Sequence, residues 1–171
     1  HQPCTVQLQQ LGVEVVVGEA VAQRLDAWLA DNLPYFDHMC MHRPHVAEQF
    51  LPTLKKHACC PKISYVGHDL HFLRTQREFL LKGDPALERE AAAWRERERA
   101  VIEATDNTLY FSDTEVAEVE QLVPSAHVNS IPLFILEDLK VEHVITDVTS
   151  LIFVAGFNHP PNIDAAQWLV G

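Results

Sequence analysis

The chain has 171 residues, enough for one domain, or one domain and part of another, at roughly 100–200 residues per domain. Hydrophobic residues make up 47% and charged residues 22%, a globular composition that excludes wholesale disorder. Lys and Arg number 13 against 24 Asp and Glu, a net charge of -11, and an acidic chain without a basic tract is not expected to bind nucleic acid.

In chain order, residues 13–17 (VEVVV) read as a strand between Gly12 and Gly18. Residues 19–31 then carry Val21, Leu25, Trp28 and Leu29 at helical spacing. The apolar run at 35–41 predicts a strand near 36–41. Pro44 suits the first position of a helix whose inner face is Ala47, Phe50, Leu51 and Leu54. Residues 62–66 (KISYV) predict a strand that stops at Gly67.

Asp84-Pro85 is a cap followed by a favoured first residue. The helix it opens has an apolar stripe of Leu87, Ala91, Trp94 and Val101, and its Arg/Glu run from Glu88 to Arg99 reads as a solvated face. A strand at 108–111 (TLYF) follows. The Ser112…Glu115 capping box then opens a helix through Val116, Val119 and Leu122. Residues 127–131 are a further strand, ended by Pro132. The polar stretch at 136–150 reads as a linker. Residues 151–155 (LIFVA) read as a strand, and a helix through Ile163, Ala166 and Leu169 completes the opening βα unit of a second domain.

Strands alternating with helices predict an α/β fold with a doubly wound, mostly parallel, Rossmann-like sheet. The expected organisation is a first domain at 1–135, a linker at 136–150 and the start of a second domain at 151–171. No apolar run approaches the roughly 18–20 residues needed to span a bilayer. Cys4, Cys40, Cys59 and Cys60 form neither a zinc-ribbon spacing nor a disulfide framework, which points to reduced thiols in a cytoplasmic protein. A chain opening on His1 is expected to be a piece of a longer protein.

Ligands of such sheets bind beyond the carboxyl ends of the strands. That rule selects Arg43, then the segment 67–74 with His68, Asp69, His71 and Arg74, then Ser112. Arginines for phosphate, helix amides for anions and imidazole for proton handling suit an anionic, hydroxyl-bearing ligand. Simpler roles stand beside these: Ser112 as a helix cap, Arg43 in an ion pair. His68, Asp69 and His71 also have the spacing of a metal site, and His38, His42 and His45 lie close together in sequence. Neither set has the tight ligand spacing of an established motif, and no metal is expected.

Three stretches carry a resemblance: PKISYVGHDLHFLRTQREF, LYFSDTEVAEVEQLVPSAHVNSIPLFI and LIFVAGFNHPPNIDAAQWLV. In this order and spacing they resemble successive blocks of bacterial glycosyltransferase family 4, group 1 enzymes whose two Rossmann-like domains face a cleft in the GT-B arrangement. The resemblance covers most of the chain from about Tyr35 to Gly171. It implies retaining transfer of a sugar from a nucleotide-sugar to a carbohydrate or lipid-linked acceptor, without metal or cofactor. The membrane surface would be reached only through a lipid-linked acceptor.

Carried over by position, His68 and Asp69 become the catalytic pair on the cleft-facing loop. Arg43, His71, Arg74 and Ser112 line the acceptor and sugar site, and Gly156, His159 and Asn162 face the donor from the second domain. The family's glycine-rich loop would precede His1, and its donor-phosphate residues would follow Gly171. The piece alone is therefore expected to be inactive. Two other readings remain: a non-catalytic α/β binding module, and a metal-dependent hydrolase using His68, Asp69 and His71.

Overall fold

A computed structural model of the chain describes residues 4–16, 18–57, 61–132, 151–158 and 160–171. The chain divides into two compact units, His1–Phe134 and Ile135–Gly171.

The first unit is built on four parallel strands, β1 (His38–His42), β2 (Lys62–Val66), β3 (Asn107–Tyr110) and β4 (Val128–Ser130). Their spatial order is the order of the sequence. This is the Rossmann-like α/β architecture that the strand–helix alternation predicts. Met41 pairs with Tyr65, Tyr65 with Thr108 and Thr108 with Val128 across the sheet. Since side chains alternate between faces of a strand, that row shares one face. There Met41, Ile63, Tyr65, Thr108 and Tyr110 are buried, while Cys40, Ser64 and Asn107 on the opposite face are exposed or half-buried.

Helices close the buried face. Pro44 begins α4 (Pro44–Leu54), which buries Ala47, Leu51 and Leu54 at the predicted spacing. The longest helix, α6 (Pro85–Glu103), starts as read, with the Asp84 carboxylate accepting from the Ala86 amide at 2.9 Å. The capping box forms at α7 (Asp113–Leu122): Ser112 Oγ accepts from the Glu115 amide at 3.3 Å and donates to its carboxylate at 2.9 Å. These residues and α3 (Leu25–Asn32) contribute to one core containing Leu29, Leu51, Tyr65, Phe72, Val101, Ile102, Tyr110 and Val119.

The structure departs from the sequence reading in four places. Residues 67–74 are not one loop: α5 (His71–Lys82) begins at His71 and ends at Gly83, whose φ of 67° suits a glycine after a helix. Residues 13–16 are no strand, because their backbone joins no ladder among the described residues, and Val17 lies outside those residues. The helix read at 19–31 breaks at Gln23-Arg24 into α2 (Glu19–Ala22) and α3, and α1 (Thr5–Gln10) precedes it. Residues 151–155 likewise form no strand, and Leu151, Ile152 and Val154 are exposed.

In the second unit α8 (Pro160–Val170) is the predicted helix. The expected linker, 136–150, lies outside the described residues. Among the described residues no helix is long and apolar enough to cross a membrane.

Candidate functional site

Each of the first two strands ends in a strained turn. The described residues hold two non-glycine positions with positive φ, Arg43 at 72° and His68 at 69°. Arg43 follows β1 and caps α4, and its amide donates to the Val66 carbonyl at 3.0 Å. His68 follows β2 by one residue beyond Gly67, whose amide donates to Leu109 at 3.1 Å. Non-glycine residues in this region cost about 1–3 kcal/mol each and gather at ligand sites. Gly67 is required for a different reason: a Cβ there would collide with the Tyr110 ring.

The two turns bring their histidines together. His42 Nδ1 lies 3.1 Å from His68 Nε2, and the His68 ring meets the Phe111 ring edge-on at 5.2 Å. Cys40 Sγ lies 3.6 Å from His42 Nε2. Burial pushes the Cys40 thiol up, so it stays protonated and donates to His42. With both rings neutral, that donation places the His42 proton on Nδ1, facing His68 Nε2, and the His68 proton on Nδ1. Burial, followed by the Arg43 and His42 charges, lowers the His68 pKa from its ordinary value, against a smaller upward pull from Asp69. Arg43 has no carboxylate partner among the described residues.

Asp69 does not orient His68. Its carboxylate takes Arg74 at 2.7 Å on the exposed surface. With Leu70, Leu73, Arg77, Ser112, Thr114 and Glu115, this pair lines an open cleft of about 550 Å³. Glu115 closes the cleft floor, accepting from the Leu70 amide at 3.2 Å while it holds Ser112. The structure thus gathers Asp69, Arg74 and Ser112 in one cleft, and adds Arg77 and Glu115.

The His71 ring touches neither the His42–His68 pair nor the Asp69 and Arg74 side chains, although its Nδ1 lies 3.2 Å from the Asp69 backbone carbonyl. As the first residue of α5, His71 donates from its amide to Glu98 Oε1 at 2.8 Å, and its Nδ1 lies 3.2 Å from the same oxygen. Its ring stacks on Trp94 at 4.5 Å, and Arg97 covers Trp94 at 3.9 Å while forking onto Glu48 with two 2.7 Å bonds. That ladder belongs to helix packing. His68, Asp69 and His71 therefore do not converge, and the described residues contain no group of three potential metal ligands.

In the second unit Asn162 Nδ2 donates to the Gly156 carbonyl at 2.9 Å. His159 lies outside the described residues. The sequence reading missed His42 as the partner of His68, although His38, Cys40 and His42 alternate along β1 and so share one face. It also missed Glu98 and the reach of Glu115 to the Leu70 amide, both of which act across long sequence separations.

Comparison with family models, curated proteins and solved structures returned no match. The fold and these strand ends are therefore the whole basis for a functional reading.

Proposed function

We propose that this chain is the acceptor-side part of a retaining glycosyltransferase that moves a sugar from a nucleotide-sugar to a glycan or lipid-linked acceptor in the cytoplasm. The observation that carries the reading is His68, a strained non-glycine residue at the carboxyl end of a parallel strand, held by His42 near Arg43, which has no carboxylate partner among the described residues. The Nδ1–H of the His68 ring is suited to hydrogen-bond a hydroxyl of the transferred sugar or the acceptor as charge develops. The second cleft, with Arg74, Arg77 and Ser112, offers donors for further hydroxyls.

The test is a panel of nucleotide-sugars incubated with the polypeptide that carries this chain, scoring nucleotide release and sugar transfer. Release that falls about 10²-fold or more in His68→Asn supports the reading. A folded protein that consumes no donor overturns it.

A non-catalytic α/β binding module is the second reading. It is favoured by the engagement of Asp69 with Arg74 and of His71 with Glu98, which leaves one imidazole free at the site. Ligand binding at the strand ends without turnover of any donor would select it.

A further inference from the structure

The histidine pair has a property that sugar transfer neither needs nor predicts. With both rings neutral, Cys40 donates to His42 and His42 donates to His68. One added proton fits: His42 moves its proton to Nε2, facing the Cys40 sulfur, and His68 Nε2–H then donates to His42 Nδ1. A second added proton does not fit, because it would set two N–H groups against each other across 3.1 Å. The pair can therefore hold one added proton and not two, and the resulting cation would lie near the Arg43 guanidinium.

Among the described residues no free carboxylate answers those two charges. Arg43 has no carboxylate partner among the described residues. Asp69 is the carboxylate acting on His68, and it is engaged by Arg74 at 2.7 Å. Among the described residues the other groups acting on His68 are His42 and Arg43 from the β1 end and the uncharged Phe111 ring from the β3 end, with Cys40 on the far side of the His42 ring. In a chain of net charge -11, this corner is a cationic pole, and guanidinium and imidazolium donors together recognise an oxyanion.

We infer that Arg43, His42 and His68 form a binding site for a tetrahedral oxyanion such as a phosphate group, and that filling it draws one proton onto the histidine pair. The inference rests on reading the strand ends as a ligand site. It does not rest on sugar transfer.

The probe is inorganic sulfate, whose charge is fixed across the histidine range, titrated calorimetrically into the 171-residue chain at constant ionic strength. Two buffers of different ionisation enthalpy report proton uptake. The affinity should rise by up to about tenfold per pH unit as pH falls through the histidine range, the limit for one proton taken up. Arg43→Gly should weaken sulfate about tenfold or more, the loss of a charge-assisted contact. His68→Asn should remove the pH slope. Glycine and asparagine both accept a positive φ, so each variant keeps the turn. Absence of sulfate binding, an affinity independent of pH, or full affinity in Arg43→Gly each overturns the inference. Nucleotide-sugar turnover reads the other proposal separately: sulfate binding without turnover keeps the anion site and rejects sugar transfer, and turnover without sulfate binding does the reverse.

Discussion

Glu98 caps a helix that it does not belong to. Its carboxylate, fully buried on α6, accepts the amides of His71 at 2.8 Å and Phe72 at 3.0 Å, the first two residues of α5. A helix start leaves amides without internal partners, and α5 has no side chain of its own at that position. Glu98→Ala would strand two buried donors and the His71 ring. It should cost about 3 kcal/mol in urea denaturation. Glu98→Gln keeps one acceptor oxygen and should cost less. A Glu98→Ala protein as stable as the parent would refute this account of α5.

Gly67 and Tyr110 are coupled by contact, since a Cβ on the glycine would enter the tyrosine ring. Gly67→Ala should destabilise by about 1–3 kcal/mol, the usual penalty of overpacking. A Tyr110→Leu background should recover part of that loss. The check is a double-mutant cycle by chemical denaturation, in which additive losses would show that the two positions do not interact.

The depressed His68 pKa gives stability a definite pH dependence. The unfolded chain takes up a proton at the ordinary histidine value, while the folded chain resists it until a lower pH. Protons therefore favour unfolding over that interval, and stability falls as pH drops from the unfolded pKa to the folded one. NMR titration of the ring should place His68 below a free histidine. His68→Asn should flatten the stability curve over the same interval.

Arg43 is strained by its left-handed backbone. Glycine adopts that conformation freely and is an acceptable helix cap. Arg43→Gly should therefore raise stability by about 1 kcal/mol while weakening anion binding. A thermal melt and a sulfate titration on the same sample would separate the two effects.

Partial desolvation, which raises the Cys40 pKa, and its contact with His42 make that thiol a slow nucleophile. Alkylation mapped by mass spectrometry should show Cys40 reacting only at a higher pH than an unstructured cysteine peptide. Reaction at the peptide's rate would mean that the thiol is not held as a donor to His42.

The parts of the fold legible in sequence are those whose signals are local. Pro44, Asp84-Pro85 and Ser112…Glu115 mark helix starts that form where they were read. The α5 start was not legible because its cap lies 27 residues downstream in Glu98. Residues 13–16 have β-branched composition but no partner strand among the described residues, and a strand is a property of a pair. The strand-end rule selected Arg43 and His68, the two described non-glycine residues with positive φ. It also selected His71, whose side chain turns into the α5–α6 packing, a direction that spacing alone does not encode.

The borrowed cap has a consequence for the order in which the molecule assembles. The His68 turn and the first residues of α5 are made before Glu98, 27 residues beyond His71, so nothing local can hold that helix start in place. Short helices without tertiary support are marginal in water. The start of α5 therefore acquires its geometry only when α6 folds back along α5, and the amides of His71 and Phe72 should become protected from hydrogen exchange together with α6 rather than with β2.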